Sequence, residues 1–164
     1  MKSYLLLAAL LTTCHFSLSY GAGEENRKAA DRVGRLMAWK LTPSALTEQC
    51  LEIDPVNVKS REIFLNGWKE KNQELIKEIE RHANIVLPKL FPSIAARGGD
   101  AVEYISAKTY VDLSRSFHFR PPEELKDLCI DFEHNKSFDK EYSNSLTTES
   151  FEYLTFWEKS HLNE

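Results

Sequence analysis

Apolar residues recur every three or four positions through most of this 164-residue chain, a spacing that places them on one face of an α-helix. The longest such stripe runs from about 56 to 87 and consists of Leu65, Trp68, Leu75, Ile79, Ala83 and Val86. Asp54-Pro55 gives it a start, with a capping residue followed by proline. Pro88 ends or kinks it, because proline lacks the N–H that a helix interior needs. The pattern predicts one long helix here.

The N-terminal part of the chain predicts two more helices. Residues 24–40 carry one apolar face, formed by Ala29, Val33, Leu36 and Met37. Leu41-Thr42-Pro43 is predicted to end this helix, with Thr42 capping the next one and Pro43 at its first position. The short helix that follows carries Cys50 on its apolar face, so we expect this cysteine to point inward.

The C-terminal part predicts three helices. Residues 101–117 carry a looser apolar stripe. Pro122 begins a clean stripe that consists of Leu125, Leu128, Cys129 and Phe132. Residues 134–144 are polar and are predicted to form a loop. Thr148 can cap a last helix, although the side chains of 151–157 alternate enough to suggest a strand instead.

The first 23 residues have the layout of a secretory signal peptide. Lys2 precedes an apolar run that is too short to span a membrane, and Ser19 and Gly21 suit a cleavage after Gly21. Leu11-Thr12-Thr13-Cys14 also resembles the lipobox of bacterial lipoproteins, although that motif prefers Gly, Ala or Ser where Thr13 stands. We expect an exported, soluble mature chain, in the periplasm if the source is bacterial or otherwise in the extracellular space.

Export determines how the two remaining cysteines, Cys50 and Cys129, are interpreted. Exported proteins meet oxidising conditions, and the two positions lack the Cys-x-x-Cys spacing of zinc, haem or redox sites. They are therefore predicted to form one disulfide. Together with the helical pattern, this predicts a signal peptide at 1–21. Residues 22–164 should then fold as an all-α, single-domain bundle of about five or six helices joined by that disulfide.

Charge and motifs narrow the function classes. The net charge is −4 at pH 7, and removal of residues 1–21, which contain Lys2 and no acid, makes it one unit more negative. A nucleic-acid binder usually shows a basic stripe, so we expect no nucleic-acid partner. No serine lies in a Gly-x-Ser-x-Gly context, and no cofactor is indicated. Any acidic chain offers paired carboxylates, so a hydrolase of envelope or extracellular polymers stays open as an alternative.

Two carboxylate–histidine pairs are candidate metal ligands. Glu78 and His82 are four residues apart on one helix, and Asp131 and His134 are three apart on another. On facing helices they would resemble a fragment of the ferritin-like di-iron pattern, which needs Glu-x-x-His spacing and further carboxylates. One pair has a different spacing and the other has Asp. The competing interpretation is two solvated helix faces, with salt-bridge partners such as Arg81 nearby.

The segment 115–120 is the candidate binding surface, because it alternates cations with aromatic rings before a rigid Pro-Pro pair. Its residues are Arg115, Phe117, His118, Phe119 and Arg120. Arginine and aromatic side chains are common anchors of protein interfaces. In the competing interpretation, Phe117 and Phe119 pack into the core and the arginines are solvated.

No motif specifies an activity, and the leading prediction is a non-enzymatic helical protein that binds a protein partner. A carrier of a small ligand or metal is the first alternative, with a pocket lined by Trp39, Trp68 and Trp157 or with the two metal-ligand pairs. The hydrolase is the second. An exposed apolar patch containing Phe119 would favour the partner-binding protein.

Overall fold

The computed structural model describes residues 23–55, 58–134 and 137–162, and the side chains of these except 133, 134 and 137–146. Seven helices lie in this part of the chain: α1 (Glu24–Ile53), α2 (Val58–Lys71), α3 (Gln73–Leu90), α4 (Pro92–Ala95), α5 (Ala101–His118), α6 (Pro122–His134) and α7 (Ser137–His161). The predicted all-helical class is confirmed, and the last segment is a helix rather than a strand. The predicted signal peptide lies outside the described residues.

Helix α1 is the centre of the fold and packs against α2, α3, α5, α6 and α7. Two hydrophobic clusters lie along it. The first surrounds Trp39 and draws on α1, α2, α3, α5 and α7. The second surrounds Leu46 and Cys50 and includes side chains of α5 and α6. Phe64 of α2 packs against both clusters, so the apolar interior continues along the whole of α1.

Helix α1 runs through Pro43, so the prediction that a helix ends at Leu41-Thr42-Pro43 is wrong. A proline inside a helix costs about 3 kcal/mol. Trp39 and Leu46, on either side of it, are both fully buried, and burying one such side chain contributes about 1.5–3 kcal/mol. The Thr42 hydroxyl also donates to the Ala38 carbonyl at 2.7 Å, and Thr47 donates to the Pro43 carbonyl at 2.7 Å. Burial on both sides therefore keeps the helix continuous.

The helix predicted at 56–87 is divided at Asn72 into α2 and α3. The Trp68 carbonyl accepts both the Asn72 side-chain amide at 2.8 Å and the Asn72 backbone N–H at 3.0 Å. Helix α3 continues through Pro88 to Leu90. This division and the short helix α4 raise the number of helices in the described residues above the predicted five or six.

The loop predicted at 134–144 is also wrong, because α7 already begins at Ser137. Most residues there are polar, but Phe138, Tyr142 and Leu146 follow one another at a helical spacing of four, a signal that the loop prediction overlooked. Adding a residue to an existing helix costs little, because each added residue gains a hydrogen bond. The later part of α7 is fixed in the core by the buried side chains of Leu154 and Trp157, and the helix extends from there back to Ser137.

Two neighbouring helices hold the C-terminal end of α1. Cys50 and Cys129 lie at disulfide distance, with Cα atoms 5.7 Å apart, so α6 is joined to α1. The buried Arg61 of α2 donates to the Cys50 carbonyl at 2.6 Å and to the carbonyl and carboxylate of Asp54. Its positive charge therefore lies at the negative end of the α1 dipole, where cations are stabilising.

Helix α5 is anchored at its start and at its middle. The Asp100 carboxylate accepts hydrogen bonds from the backbone N–H of Val102 at 2.7 Å and of Glu103 at 3.2 Å, which caps the helix. Gly98, in the turn before it, has a φ of 76°, which glycine adopts at least cost. Near the middle, the Tyr110 hydroxyl donates to the Glu48 carboxylate of α1.

Burial, together with the bond to Glu48, raises the pKa of Tyr110 to about 12. Because this pKa lies above the ordinary value of about 10, the protonated hydroxyl stabilises the fold at pH below 10. That contribution is lost as the pH rises through 12. Subtracting the ultraviolet phenolate titration of Tyr110→Phe from that of the wild type should leave a step near pH 12. In denaturant the same difference should move to about pH 10. A step near pH 10 in the folded protein would refute this interaction.

Candidate functional site

One face of α5 points away from the core. It consists of Tyr104, Lys108, Val111, Arg115, His118 and Phe119, all of them exposed. Their spacing of three or four residues keeps them on one side of the helix, and Phe119 follows directly after its last residue. The row is about 22 Å long, at 1.5 Å per helical residue. We call these six residues the α5 face.

The structure divides the predicted binding segment between the surface and the core. Phe119 is 81% exposed, whereas Phe117 is fully buried in the cluster around Leu46. Two residues correspond to about 200° of helix, which turns Phe117 away from Arg115 and toward α1. The Arg120 side chain is mostly buried, with its guanidinium 3.9 Å from the Glu124 carboxylate. Arg115, His118 and Phe119 therefore come together, and Phe117 and Arg120 serve packing.

Positive charge accompanies the aromatic rings of the α5 face. Arg115 and His118 lie in the last turn of α5, where cations also interact favourably with the helix dipole. The His118 and Phe119 rings meet edge to face, with centroids 5.7 Å apart. Lys108 is bonded to Asp112 at 2.7 Å. The face thus combines exposed apolar side chains with the Arg115 guanidinium and the His118 imidazole at its C-terminal end.

The first metal-ligand pair belongs to a different arrangement from the one predicted. His82 is fully buried, and its Nδ1 bonds to the carboxylate of Glu158 on α7. The Glu78 carboxylate lies 3.3 Å from Nε2, on the other side of the ring. Because the two carboxylates approach opposite nitrogens, they and the imidazole cannot converge on one ion. We call Glu78, Arg81, His82 and Glu158 the α3–α7 polar cluster.

Arg81 supplies the cation of this cluster. Its guanidinium lies 2.9 Å from the Glu78 carboxylate and 3.0 Å from the Glu158 carboxylate. Hydrogen bonding from Arg81 lowers the pKa of Glu78, and the bond to Glu78 in turn raises the pKa of Arg81. The Glu78 carboxylate is therefore held charged by a guanidinium that lies between it and Glu158.

The structure does not show Asp131, of the second predicted pair, beside Glu78 and His82. Asp131 is on α6, which packs against α1, whereas His82 faces Glu158 on α7. The His134 side chain lies outside the described residues. Among the side chains that are described, no group of three or more His, Cys, Asp or Glu residues could hold a metal ion.

Glu158 is the member of the polar cluster that the sequence reasoning missed. A signal was present, because Phe151, Leu154 and Glu158 follow one another at helical spacing on the same face of α7. His82 lies in the α3 stripe in the same way, between Ile79 and Val86. A carboxylate and a histidine that each interrupt an apolar stripe are candidates for a buried pair.

The three tryptophans all belong to the first hydrophobic cluster. The rings of Trp39 and Trp68 are in contact, with centroids 5.0 Å apart. Trp157 stacks instead on His161, and its indole N–H donates to Asn26 at 3.1 Å. Of the three rings predicted to line a pocket, those of Trp39 and Trp68 are therefore in contact with each other, and that of Trp157 stacks on His161 instead.

Comparisons of the chain with protein-family models, with curated proteins and with solved structures give no match. Within the described residues, no helix combines the length and the apolar character needed to cross a membrane.

Proposed function

We propose that this chain is exported and acts by binding a protein partner through the α5 face, with no catalytic activity of its own. The observation that carries the proposal is the 81% exposure of Phe119 next to Arg115 and His118. Phenylalanine and arginine side chains on a rigid element are typical anchors of protein interfaces.

Exposed apolar area on the α5 face supports this. Tyr104, Val111 and Phe119 are three of the nine large exposed apolar side chains in the described part of the chain. Burying a side chain of this size contributes about 1.5–3 kcal/mol to association. A partner that covers the two aromatic rings and the Val111 methyl groups gains much of the affinity that a specific interface needs.

The cations indicate the chemistry of the partner. The whole chain carries a net charge of −4, yet Arg115 adds an exposed guanidinium to this face, whereas the charge of Lys108 is balanced by Asp112. Complementary charge favours a partner segment that is acidic as well as apolar, because opposite charges steer association and fix register. We infer an acidic amphipathic helix that lies along α5.

The α5 face is prepared for binding before the partner arrives. Asp100 caps α5, Tyr110 ties it to Glu48, and Leu113 and Phe117 fix its inner side in the core. A surface that is ordered in advance loses less entropy on binding. The signal-peptide pattern places this encounter in the periplasm or the extracellular space, and Cys50 and Cys129 at disulfide distance are consistent with an oxidising compartment.

The hydrolase alternative has weaker support. Paired-carboxylate hydrolysis needs one carboxyl group that keeps its proton near neutral pH. In the α3–α7 polar cluster, Arg81 stabilises the charged form of Glu78 instead. Glu158 is buried and bonded through both oxygens, to His82 and to Arg81.

Site-specific photocrosslinking tests the proposal. The photoreactive residue p-benzoylphenylalanine replaces Phe119 or Tyr104 in the full chain, and the exporting cells are irradiated before mass spectrometry. We expect both positions to form an adduct with the same protein, and we expect the adduct to be lost when Arg115→Glu is added. Phe156, an exposed phenylalanine on α7, is the matched control position and should give no such adduct.

Three outcomes would overturn the proposal. The first is an adduct with lipid, which would make the α5 face a membrane-binding surface. The second is an adduct with a second copy of the chain, which would make it a self-association surface. The third is the absence of any adduct specific to positions 104 and 119.

A further inference from the structure

The second hydrophobic cluster depends on α6 for much of its apolar interior. Four of its nine buried residues come from that helix: Leu125, Leu128, Cys129 and Phe132. The others belong to α1 and to the last two turns of α5, where Leu113 and Phe117 lie. If α6 is not docked, the inner side of the end of α5 therefore loses much of the apolar surface that buries it.

Helix α6 is short and depends on its contact with α1. It has 13 residues, and isolated helices shorter than about 12–15 residues are marginal in water. It packs mainly against α1, where Cys129 lies at disulfide distance from Cys50. The Phe132 ring adds an edge contact with Phe64 of α2, at a centroid distance of 4.7 Å. A bond between the two cysteines is therefore the strongest single tie that keeps α6 docked.

The position of Phe119 depends on α6 as well as on α5, because only residues 119–121 connect the two helices. Within this connection, the backbone N–H of Arg120 donates to the Phe117 carbonyl at 3.0 Å. The Arg120 guanidinium lies 3.9 Å from the carboxylate of Glu124 on α6. A connection of three residues passes a displacement of α6 directly to Phe119.

The two halves of α5 lie in different clusters. Ala101 and Ile105, in the N-terminal half, belong to the first cluster. Leu113 and Phe117, in the C-terminal half, belong to the second cluster together with both cysteines. The bond from Tyr110 to α1 lies between the two halves. A change at the cysteines should therefore reach the C-terminal half of α5 and leave the N-terminal half in place.

We propose that oxidation of Cys50 and Cys129 is the step that orders the C-terminal half of α5 and positions Phe119 for binding. With free thiols the chain keeps its first cluster, but α6 undocks and residues 111–119 lose their fixed arrangement. This inference deepens the proposed function and rests on it, because it makes the α5 face complete only in an oxidising compartment. The cytoplasm keeps thiols reduced, so partner binding begins only after export.

The oxidation is a thiol–disulfide exchange with an acceptor disulfide of the oxidising compartment. The thiolate of one cysteine attacks the acceptor and displaces one of its sulfurs as a thiol. The second cysteine thiolate then attacks the sulfur of the first in the mixed disulfide and displaces the other acceptor thiol. The pair loses two electrons and two protons, and the acceptor becomes two thiols. Because Cys50 and Cys129 are buried once α6 is docked, this exchange takes place in the undocked state.

Hydrogen–deuterium exchange of the mature chain tests the ordering step. The measured quantity is the exchange rate of the amides of 113–119 divided by that of the amides of 105–109. General destabilisation raises both rates, whereas local loosening raises their ratio. We expect the ratio to rise about tenfold in Cys50→Ala/Cys129→Ala and in wild type treated with dithiothreitol.

The matched control is Leu154→Ala, which removes a fully buried side chain of the first cluster and keeps both cysteines. It should destabilise the protein without raising the ratio. The three tryptophans all lie in the first cluster, so their fluorescence maximum should be the same in oxidised and reduced protein. The ordering step is refuted by an unchanged ratio in the double cysteine variant, by an equal rise in Leu154→Ala, or by a tryptophan emission that shifts on reduction.

Neither readout involves the partner, so the ordering step and the proposed function fail separately. If crosslinking at positions 104 and 119 gives no adduct in the wild type, the proposed function is wrong, and exchange alone decides on the ordering. With the crosslinked partner identified, Cys50→Ala/Cys129→Ala should bind it about tenfold more weakly than the wild type does. Equal affinities would overturn the link between oxidation and binding.

Discussion

Replacing both Cys50 and Cys129 by alanine should lower the free energy of unfolding by about 4 kcal/mol. The pair lies at disulfide distance across a sequence separation of 79 residues, and closing a loop of this length removes much of the entropy of the unfolded chain. The effect is large because the same bond joins α6 to the end of α1. Urea denaturation followed by circular dichroism measures it.

The control is the wild-type protein treated with a reductant, which should lose a similar amount of stability. In denatured but unreduced mature protein, thiol titration should find no reactive thiol, because Cys14 lies in the predicted signal peptide. Two reactive thiols, or a double variant as stable as the wild type, would show that the bond is absent from the exported protein.

The second large effect is expected at Glu158. Glu158→Ala should destabilise the protein by about 3 kcal/mol, because it leaves the buried His82 and the guanidinium of Arg81 without their shared carboxylate. Glu158→Gln should cost less, because the amide oxygen can still accept one hydrogen bond. Urea midpoints at neutral pH measure both variants.

Glu149→Ala is the matched control on the same helix. Glu149 is exposed and lies 3.6 Å from Arg32, so its removal should change stability by no more than about 0.5 kcal/mol. If Glu158→Ala and Glu149→Ala cost the same, the α3–α7 polar cluster is a surface ion pair rather than a buried network.

Acid should weaken the same cluster. Hydrogen bonding from Arg81 lowers the pKa of Glu78, so its charged form adds stability at pH values above the ordinary carboxyl pKa. That contribution is lost as the pH falls through the lowered pKa of the folded state.

The amphipathic period predicted the helical class and most of the core correctly. The stripe of α6 and the face formed by Ala29 and Val33 are buried as expected. Two helix ends were misplaced for one reason: proline and asparagine report local preference, whereas burial on both sides decides whether a helix continues. Pro43 lies between the buried Trp39 and Leu46 and is tolerated. Asn72 lies between the exposed residues 69–71 and 73–74, and α2 ends there.

The candidate sites were predictable only in part. The sequence of segment 115–120 identified arginine and aromatic residues that could bind a partner. Which of its two phenylalanines is exposed depends on how α5 is rotated against α1, and the structure exposes Phe119 and buries Phe117. His82 and Glu158 each interrupt an apolar stripe, which marks both as candidates for burial, but their pairing joins residues 76 positions apart and needs the tertiary structure.

The central claim is that Phe119 anchors a partner on the α5 face. The most direct measurement is the dissociation constant of the crosslinked partner for wild type, Phe119→Ser and the control Phe156→Ser. Loss of an interface anchor worth about 2 kcal/mol should raise the dissociation constant about 30-fold for Phe119→Ser. The value for Phe156→Ser should stay close to that of the wild type. Equal affinities of all three proteins would contradict the claim.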